Sequence, residues 1–422
     1  MGKATTNHVT RRLQDVVARR IAEEPVVALH GPRTVGKSTL LEDVAAPLGQ
    51  RRLDFDDPEI RSAAAADPVL FASGPSPVCI DEYQHVPAIL DAIKAELNRD
   101  LRPGRFVLTG STTYGSLPLA AQSLTGRLHR VVVWPLSQGE IDGVHETFVE
   151  QLMENPTQLV TTAASTTSRD EYVERVVRGG MPLALRRGSQ VARDRWFDDF
   201  VGLVVERDVL DLSRVRQRAA LPLLLRQLAA QTAGILSIAS AARRAGVEDS
   251  TAESYTKLLE AAFLIHRLPA WGRTLRARAV GKSKVHVVDS GLAARLMRLT
   301  PAKLGRLDPA ALTELGHLLE TFVVNEILKQ VSWLETPATV GHFRTRDGVE
   351  VDLVLERDDG AVVGVEVKVG ARVSGAELSG LRALRETMGD AFLGGVVLNL
   401  GERSYTADPR IHVLPVDRLW TA

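Results

Sequence analysis

Apolar residues at positions 9, 13, 16, 17 and 21 recur with a helical period and predict a helix from Val9 to Ala22, closed off by Pro25. The pattern then changes. VVALH, residues 26 to 30, is a continuous apolar run of the kind found in strands buried on both faces, and a glycine-bracketed loop separates it from the helical stretch STLLEDVAA. The same rhythm repeats. RRLDF leads through the turn Asp56-Asp57-Pro58 into an alanine-rich helix, VCID leads into the helix Ala88 to Asp100, and FVLTG forms another buried strand. Apolar strands alternating with helices predict a parallel sheet clad in helices over residues 1–160.

Residues 161 to 168, TTAASTTS, have no apolar period and mark the main boundary. Residues 170–290 read as mostly helical. Glu171 to Val177 and Trp196 to Val209 carry apolar residues at helical spacing, joined through the turn-like Gly179-Gly180-Met181-Pro182. Between Ile238 and Ala262 the sequence predicts a helix, a turn at Gly246, and a second helix opened by Ser250 with Glu253 three residues on, the form of a capping box. FLIHRLPAW and KVHVVD then pair as a β wing, and the link from Arg273 to Lys284 holds five basic residues and no acid. This is a winged-helix pattern, open both to phosphate contact and to use as a spacer or protein contact. Residues 300–422 return to α/β: a helix from Leu312 to Lys329 bearing Glu320 and Glu326, then consecutive strands with a hairpin turn at Asp359-Gly360.

Composition narrows the classes. Lys plus Arg and Asp plus Glu are 52 each, so nucleic-acid contact must come from local patches. Even the apolar segment AALPLLLRQLAA is broken by Arg226, and the N-terminus is polar through Thr10, so no membrane association and a cytoplasmic location are expected. Cys79 is the only cysteine and the ten histidines include no pair at i, i+3 or i+4; neither a disulfide nor a structural metal is expected.

The candidate chemistry begins at Gly31. GPRTVGKS places two glycines around four residues and follows them with Lys37 and Ser38, so the backbone from Gly31 through Pro32, Arg33, Thr34, Val35 and Gly36 can turn its N–H groups toward an anion. The new helix, from Lys37, Ser38 and Thr39, points its positive end there. Mg-ATP is the expected ligand, with Lys37 on the outer phosphates and Ser38 on magnesium. About forty residues on, VCIDE ends a strand in two acids, Asp81 as the magnesium-side carboxylate and Glu82 as the base for the attacking water. FVLTGST carries Thr109 and Ser111 toward the γ-phosphate. Arg127, or its rival Arg130, is a candidate finger reaching a neighbouring subunit of a homo-oligomer. In the C-terminal hairpin Asp352 on one strand and Glu366 and Lys368 on the next share a face, an arrangement that can hold Mg²⁺ and position a water for phosphodiester cleavage; a solvated charged face is the alternative.

GPRTVGKS, CIDEYQHVP, FVLTGST, SLTGRL, RGGMPLAL, VVERDV, VVDSGLAARL, LLETFVVNE, FRTRDGVEVDLVLE and VEVKVG, in that order, resemble the blocks of prokaryotic AAA-type ATPases that join a P-loop ATPase module to a winged helix and a C-terminal domain of unknown function. The resemblance implies nucleotide contacts at Gly36, Lys37 and Ser38, magnesium and hydrolysis roles at Asp81 and Glu82, sensing by Ser111 and a finger at Arg127. It also implies a restriction-endonuclease-type C-terminal core with Glu320, Asp352, Glu366 and Lys368 as its acidic and lysine positions. Tyr83 departs from the aliphatic residue expected after the two acids. Two readings follow: an ATPase acting on DNA or a DNA-bound partner, or an ATP-dependent scaffold or protein regulator whose C-terminal domain is inactive.

Overall fold

The computed structural model describes residues 9–111, 124–209, 217–274 and 281–422. Thr112, Ser123 and the middle of the basic link, residues 275–280, lie outside them. The described residues divide into two compact units, the first within 1–136, 203–216 and 261–263, the second within 137–202, 217–260 and 264–422.

The first unit is built on a five-stranded parallel sheet: β1 (Val26–His30), β2 (Arg52–Asp54), β3 (Val78–Asp81), β4 (Phe106–Gly110) and β5 (Leu128–Val132), in the order β2-β3-β4-β1-β5. β1, β3 and β4 are buried along their whole length, which is why they read as unbroken apolar runs. The registers Leu29↔Thr109, Ile80↔Leu108 and Asp54↔Asp81 bring the carboxyl ends of β1, β3 and β4 out along one edge. Ligands of open α/β sheets bind along such an edge. The helix Ile89–Arg99 buries Ile89, Leu90, Ile93 and Leu97 at helical spacing, in a core with Phe55, Tyr83 and Phe106. At Pro58–Ala66 the acid-proline turn does what its residues suggest: Asp57 caps the helix by accepting from the N–H groups of Glu59 and Ile60, with proline at the first turn.

In the second unit the helix Ile238–Ala245 ends at Gly246, whose φ of 71° is the left-handed conformation that a helix stop requires. The next helix, Asp249–Ala261, begins one residue before the expected cap. Glu253 is drawn to Arg267 instead, at 3.1 Å, because that residue on β6 (Ile265–Leu268) brings a cation to the helix flank. β6 pairs antiparallel with β7 (Lys284–Val287), the expected hairpin.

The helix Pro309–Val331 precedes a six-stranded sheet of β8 (Ala338–Arg344), β9 (Glu350–Arg357), β10 (Val362–Lys368), β11 (Phe392–Asn399), β12 (Tyr405–Asp408) and β13 (Ile411–Pro415), ordered β12-β13-β11-β10-β9-β8. β9 and β10 are antiparallel across the Asp359-Gly360 turn, where Gly360 has φ 82° and the Asp359 side chain accepts from the Ala361 N–H. β10 and β11 are parallel. A Cβ on Gly364 of β10 would lie 2.7 Å from Leu381, so the helix Ser379–Met388 can seat on the sheet only because glycine stands there.

Candidate functional site

At the edge where β1 ends, the loop runs from Gly31 to Gly36 and the helix Lys37–Ala45 begins. Glycine is required at both ends: a Cβ on Gly31 would sit 2.2 Å from the carbonyl oxygen of Val133, and Gly36 has φ 99°. Lys37 is 4% exposed, and its ammonium donates to the carbonyls of Gly31 at 3.0 Å and Pro32 at 2.9 Å, so the side chain lies back along its own loop. Ser38 is half-buried and Thr39 exposed beside it. Arg11 was not singled out by the sequence; nothing in its polar surroundings points to it. Its guanidinium donates to the Val35 carbonyl at 3.1 Å and the Trp134 carbonyl at 2.6 Å, fastening the loop from outside.

Asp81 is buried at the end of β3, where one carboxylate oxygen accepts from the Thr109 hydroxyl and the other from Arg52 at 2.5 Å. Thr109 also accepts from the Glu82 N–H at 3.1 Å. It therefore ties the two acids together rather than facing a phosphate, because β4 lies directly between β1 and β3. Glu82 has φ 52°, a conformation costly for a non-glycine residue, and its carboxylate accepts from the Gln84 amide, which also reaches Ser111 Oγ at 3.2 Å. Gln84 Oε1 is buried with no protein partner. The residues present fit a Mg-nucleotide: a glycine-ended loop at a helix N-terminus, a buried ammonium, two adjacent acids, and one orphaned acceptor beside them.

The aromatic residue after the acids has a local explanation. The Tyr83 hydroxyl stands 2.9 Å from His30 Nε2, with the two rings edge to face. Burial lowers the pKa of His30 to about 3, with the charges of Lys37 and Arg130 adding to it, so the imidazole is neutral. Arg127 precedes β5 at the end paired with Val26, the edge away from the loop, and donates to Asn98 Oδ1 at 2.7 Å. Five residues of strand put it about 16 Å from the loop edge of its own sheet. Arg130 is farther along β5, opposite Ala28, and exposed.

The C-terminal acids converge, with a partner the sequence did not assign to them. The register Val365↔Leu353, continued by one residue, sets Glu366 opposite Asp352. Lys284 of β7 lies between the acids, its ammonium 2.7 Å from Glu320 and 3.0 Å from Asp352. At 2% exposure it is no wing cation, although it stands in the basic link as its last residue. The second oxygen of Asp352 accepts from the Val367 N–H at 3.0 Å, and Lys368 pairs with Glu366 at 2.6 Å. Burial would lower the pKa of Lys284, but Asp352 and Glu320 more than offset it and hold the ammonium charged. Burial, then the charge of Asp352, raises Glu320 well above the carboxylate range and Glu366 to about 8. Both Asp352 oxygens are engaged here, while Glu366 Oε2 is buried with no protein partner, and no group of three or more His, Cys, Asp or Glu among the described residues is arranged to hold a metal.

This cluster has a measurable pH signature. Folded Glu366 keeps its proton up to about pH 8, whereas its ordinary value is 4.5, so between these the folded chain binds more protons and loses stability as pH rises. Glu146, raised by burial to about 7, contributes with the same sign. Denaturant midpoints should fall from mildly acidic to alkaline pH by roughly 2–4 kcal/mol in stability, and Glu366→Gln should remove part of that slope. An unchanged slope in the variant would place the titration elsewhere.

Other motif blocks meet in structural contacts. Asp289 accepts from the Leu292 N–H at 2.9 Å and the Gly180 N–H at 2.7 Å, and a Cβ on Gly179 would lie 2.3 Å from its carboxylate. Glu326 accepts from the Gln138 N–H at 2.8 Å and pairs with Lys329. These residues hold helix ends and loops together.

A family model described as an AAA domain matches residues 23–142; two described as domains of unknown function, DUF8612 and DUF4143, match residues 169–303 and 315–419. An uncharacterised protein of Mycobacterium tuberculosis is 27% identical over 405 residues, covering 96% of this chain and 82% of that one, and an uncharacterised protein of Mycobacterium bovis aligns with the same figures. Among solved structures, a Walker-type ATPase of Pyrococcus abyssi superposes with a TM-score of 0.42 at 15% identity, over 69% of this chain and 97% of that one. The RuvB Holliday junction branch migration motor of Thermotoga maritima gives 0.28 at 17%, over 64% and 93%. The matched AAA domain, with the sheet and loop described above, makes the first part of the chain an AAA-type P-loop ATPase that binds ATP.

Proposed function

We propose that the protein couples Mg-ATP hydrolysis to action on DNA or a DNA-associated partner, with residues 1–160 as motor or switch, 170–290 as a helical and winged-helix region, and 300–422 as a non-catalytic module. The observation that carries the ATPase part is the buried Lys37 at the foot of a helix, on the sheet edge where Asp81 and Glu82 also end their strand. Bound Mg-ATP supplies the phosphoanhydride bond and the metal's charge. Gly31 through Thr39 surround the phosphates, Lys37 neutralises the outer ones, and Ser38 with Asp81 would hold the magnesium. Asp81 would give up its Arg52 contact to do so. Glu82 would accept the proton of the attacking water at its carboxylate, which the Gln84 amide holds while also reaching Ser111 Oγ. Arg127 lies too far from its own loop to serve it, which supports a finger role only across a homo-oligomer; Arg130 is the alternative.

Glu82→Gln should bind ATP with near-parent affinity and turn over about 10²- to 10⁴-fold more slowly, since the amide keeps the shape and cannot take the proton. Calorimetry with phosphate release checks both halves. Parent turnover in this variant would move the base elsewhere. The DNA half is tested by ATPase rates with and without duplex and single-stranded DNA. No stimulation and no binding would favour a protein partner. The described residues include no helix long and apolar enough to cross a membrane.

For the C-terminal domain one observation favours an interaction module over a nuclease: Lys284 holds the place between Glu320 and Asp352 that a catalytic cation would need. A nuclease reading requires Mg²⁺-dependent cleavage lost in both Asp352→Ala and Lys368→Ala.

A further inference from the structure

In the second unit a cavity of about 770 Å³ opens between the stretch that leaves β6 and the end of β8. Trp271 and Phe343 form its floor and are 5% and 8% exposed. Its rims are cationic: Arg273 and Lys282 on the hairpin side, Arg344 and Arg346 on the other, with no Asp or Glu among the described residues that line it. In a chain whose charges sum to zero, four cations and no acid around one cavity is a local excess. Of the rim cations, Arg344 has Glu350 at 3.6 Å.

The spacing of the rims is fixed by backbone. His342 of β8 bridges Ala270, the Trp271 N–H donates to the His342 carbonyl at 2.7 Å, and the His342 ring donates to the Lys282 carbonyl at 2.9 Å. Arg273 is anchored on the Thr387 carbonyl at 3.2 Å, and the Trp271 ring nitrogen on Glu356 at 2.8 Å. The two aromatic rings are therefore built into the floor, with too little exposed face for bases to stack on.

We infer that this cleft binds the phosphodiester backbone of nucleic acid, with the four rim cations contacting successive phosphates. Cations facing one another across a cleft suit a chain of phosphates; a single phosphate is held by donors converging on one point. With no exposed ring and no acid or amide side chain among the rim cations, the contact is to backbone and independent of base sequence. The inference rests on the proposed action on DNA and adds where the strand lies: at the cleft, with the helix pair Ile238–Ala245 and Asp249–Ala261 not required.

The test uses the full chain with a short labelled duplex and its single strand, read by fluorescence anisotropy over a salt series. One residue from each rim is changed in Lys282→Gln/Arg346→Gln, and the helix pair is changed in Arg243→Gln/Lys257→Gln. The rim variant should bind DNA about 10- to 100-fold more weakly near 100 mM salt, with the slope of log affinity on log salt shallower by about two units for duplex. Its melting temperature and DNA-free ATP turnover should match the parent, because both side chains are exposed. The helix-pair variant should bind as the parent does. If the rim variant binds like the parent, or only the helix-pair variant is weakened, the cleft assignment is overturned and the DNA reading stands. If the parent binds neither DNA, the reading beneath it fails. Displacement of DNA by millimolar inorganic phosphate at constant ionic strength would mean a single-anion site and also overturns it.

Discussion

Lys37→Ala should lose ATP affinity by about 100-fold or more and show no measurable turnover. The ammonium is buried at the foot of the helix, and a charge-assisted contact to phosphate there is worth roughly 1.5–3 kcal/mol before any transition-state charge is counted. Its removal also takes two donors from the loop, those to the Gly31 and Pro32 carbonyls. Loss of stability and loss of binding can be separated. Melting should fall modestly in the absence of nucleotide, and the further rise that ATP produces in the parent should be absent. Lys37→Arg should fail too, since the wider planar guanidinium does not fit between those two carbonyls. Parent-like ATP affinity by calorimetry in Lys37→Ala would remove the site assignment, and with it every role given to Asp81 and Glu82.

Lys284→Met should destabilise the second unit by about 3–5 kcal/mol, as removal of one partner from a buried ion pair does, because Glu320 and Asp352 would be left buried without their shared ammonium. Chemical denaturation followed by intrinsic fluorescence reads this. Two companions identify the cause. Lys284→Met/Glu320→Met should recover part of the loss, since both charges leave together and the site becomes apolar. Adding Mg²⁺ should not restore the single variant under the interaction-module reading. If Mg²⁺ does restore it, or DNA cleavage appears on adding the metal, then the acids are a metal site that Lys284 fills in its absence, and the nuclease reading returns. A loss below about 1 kcal/mol would mean that the cluster is solvated and its charges independent.

The two lysines also show how differently a sequence exposes its chemistry. Lys37 was legible because everything that defines its surroundings is adjacent in the chain: an apolar run that can only be a buried strand, two glycines that let the backbone turn, and a helix that starts on the next residue. The same holds for the Asp359-Gly360 hairpin, where a turn of fixed geometry and period-two alternation set the face that Asp352 and Glu366 share. Short-range geometry of this kind follows from steric limits on a few dihedral angles. Lys284 was misread for the opposite reason. Its partners lie 36 and 68 residues away, and the run of bases before it made it look like one more exposed cation. Thr109 was misplaced because strand order within a sheet is not written in strand sequence: only the insertion of β4 between β1 and β3 makes its hydroxyl a bridge between Asp81 and Glu82. Arg11 and the cationic cleft belong to the same class, the first a side chain reaching 24 residues along to the Val35 carbonyl, the second two rims more than 60 residues apart. The sequence by itself determined which segments are strands and helices, where the phosphate loop turns, and which acids end which strands. Tertiary structure decided which charges face each other, because in a buried site a charge takes whatever partner the packing brings within about 3 Å, and chain separation does not enter that energy.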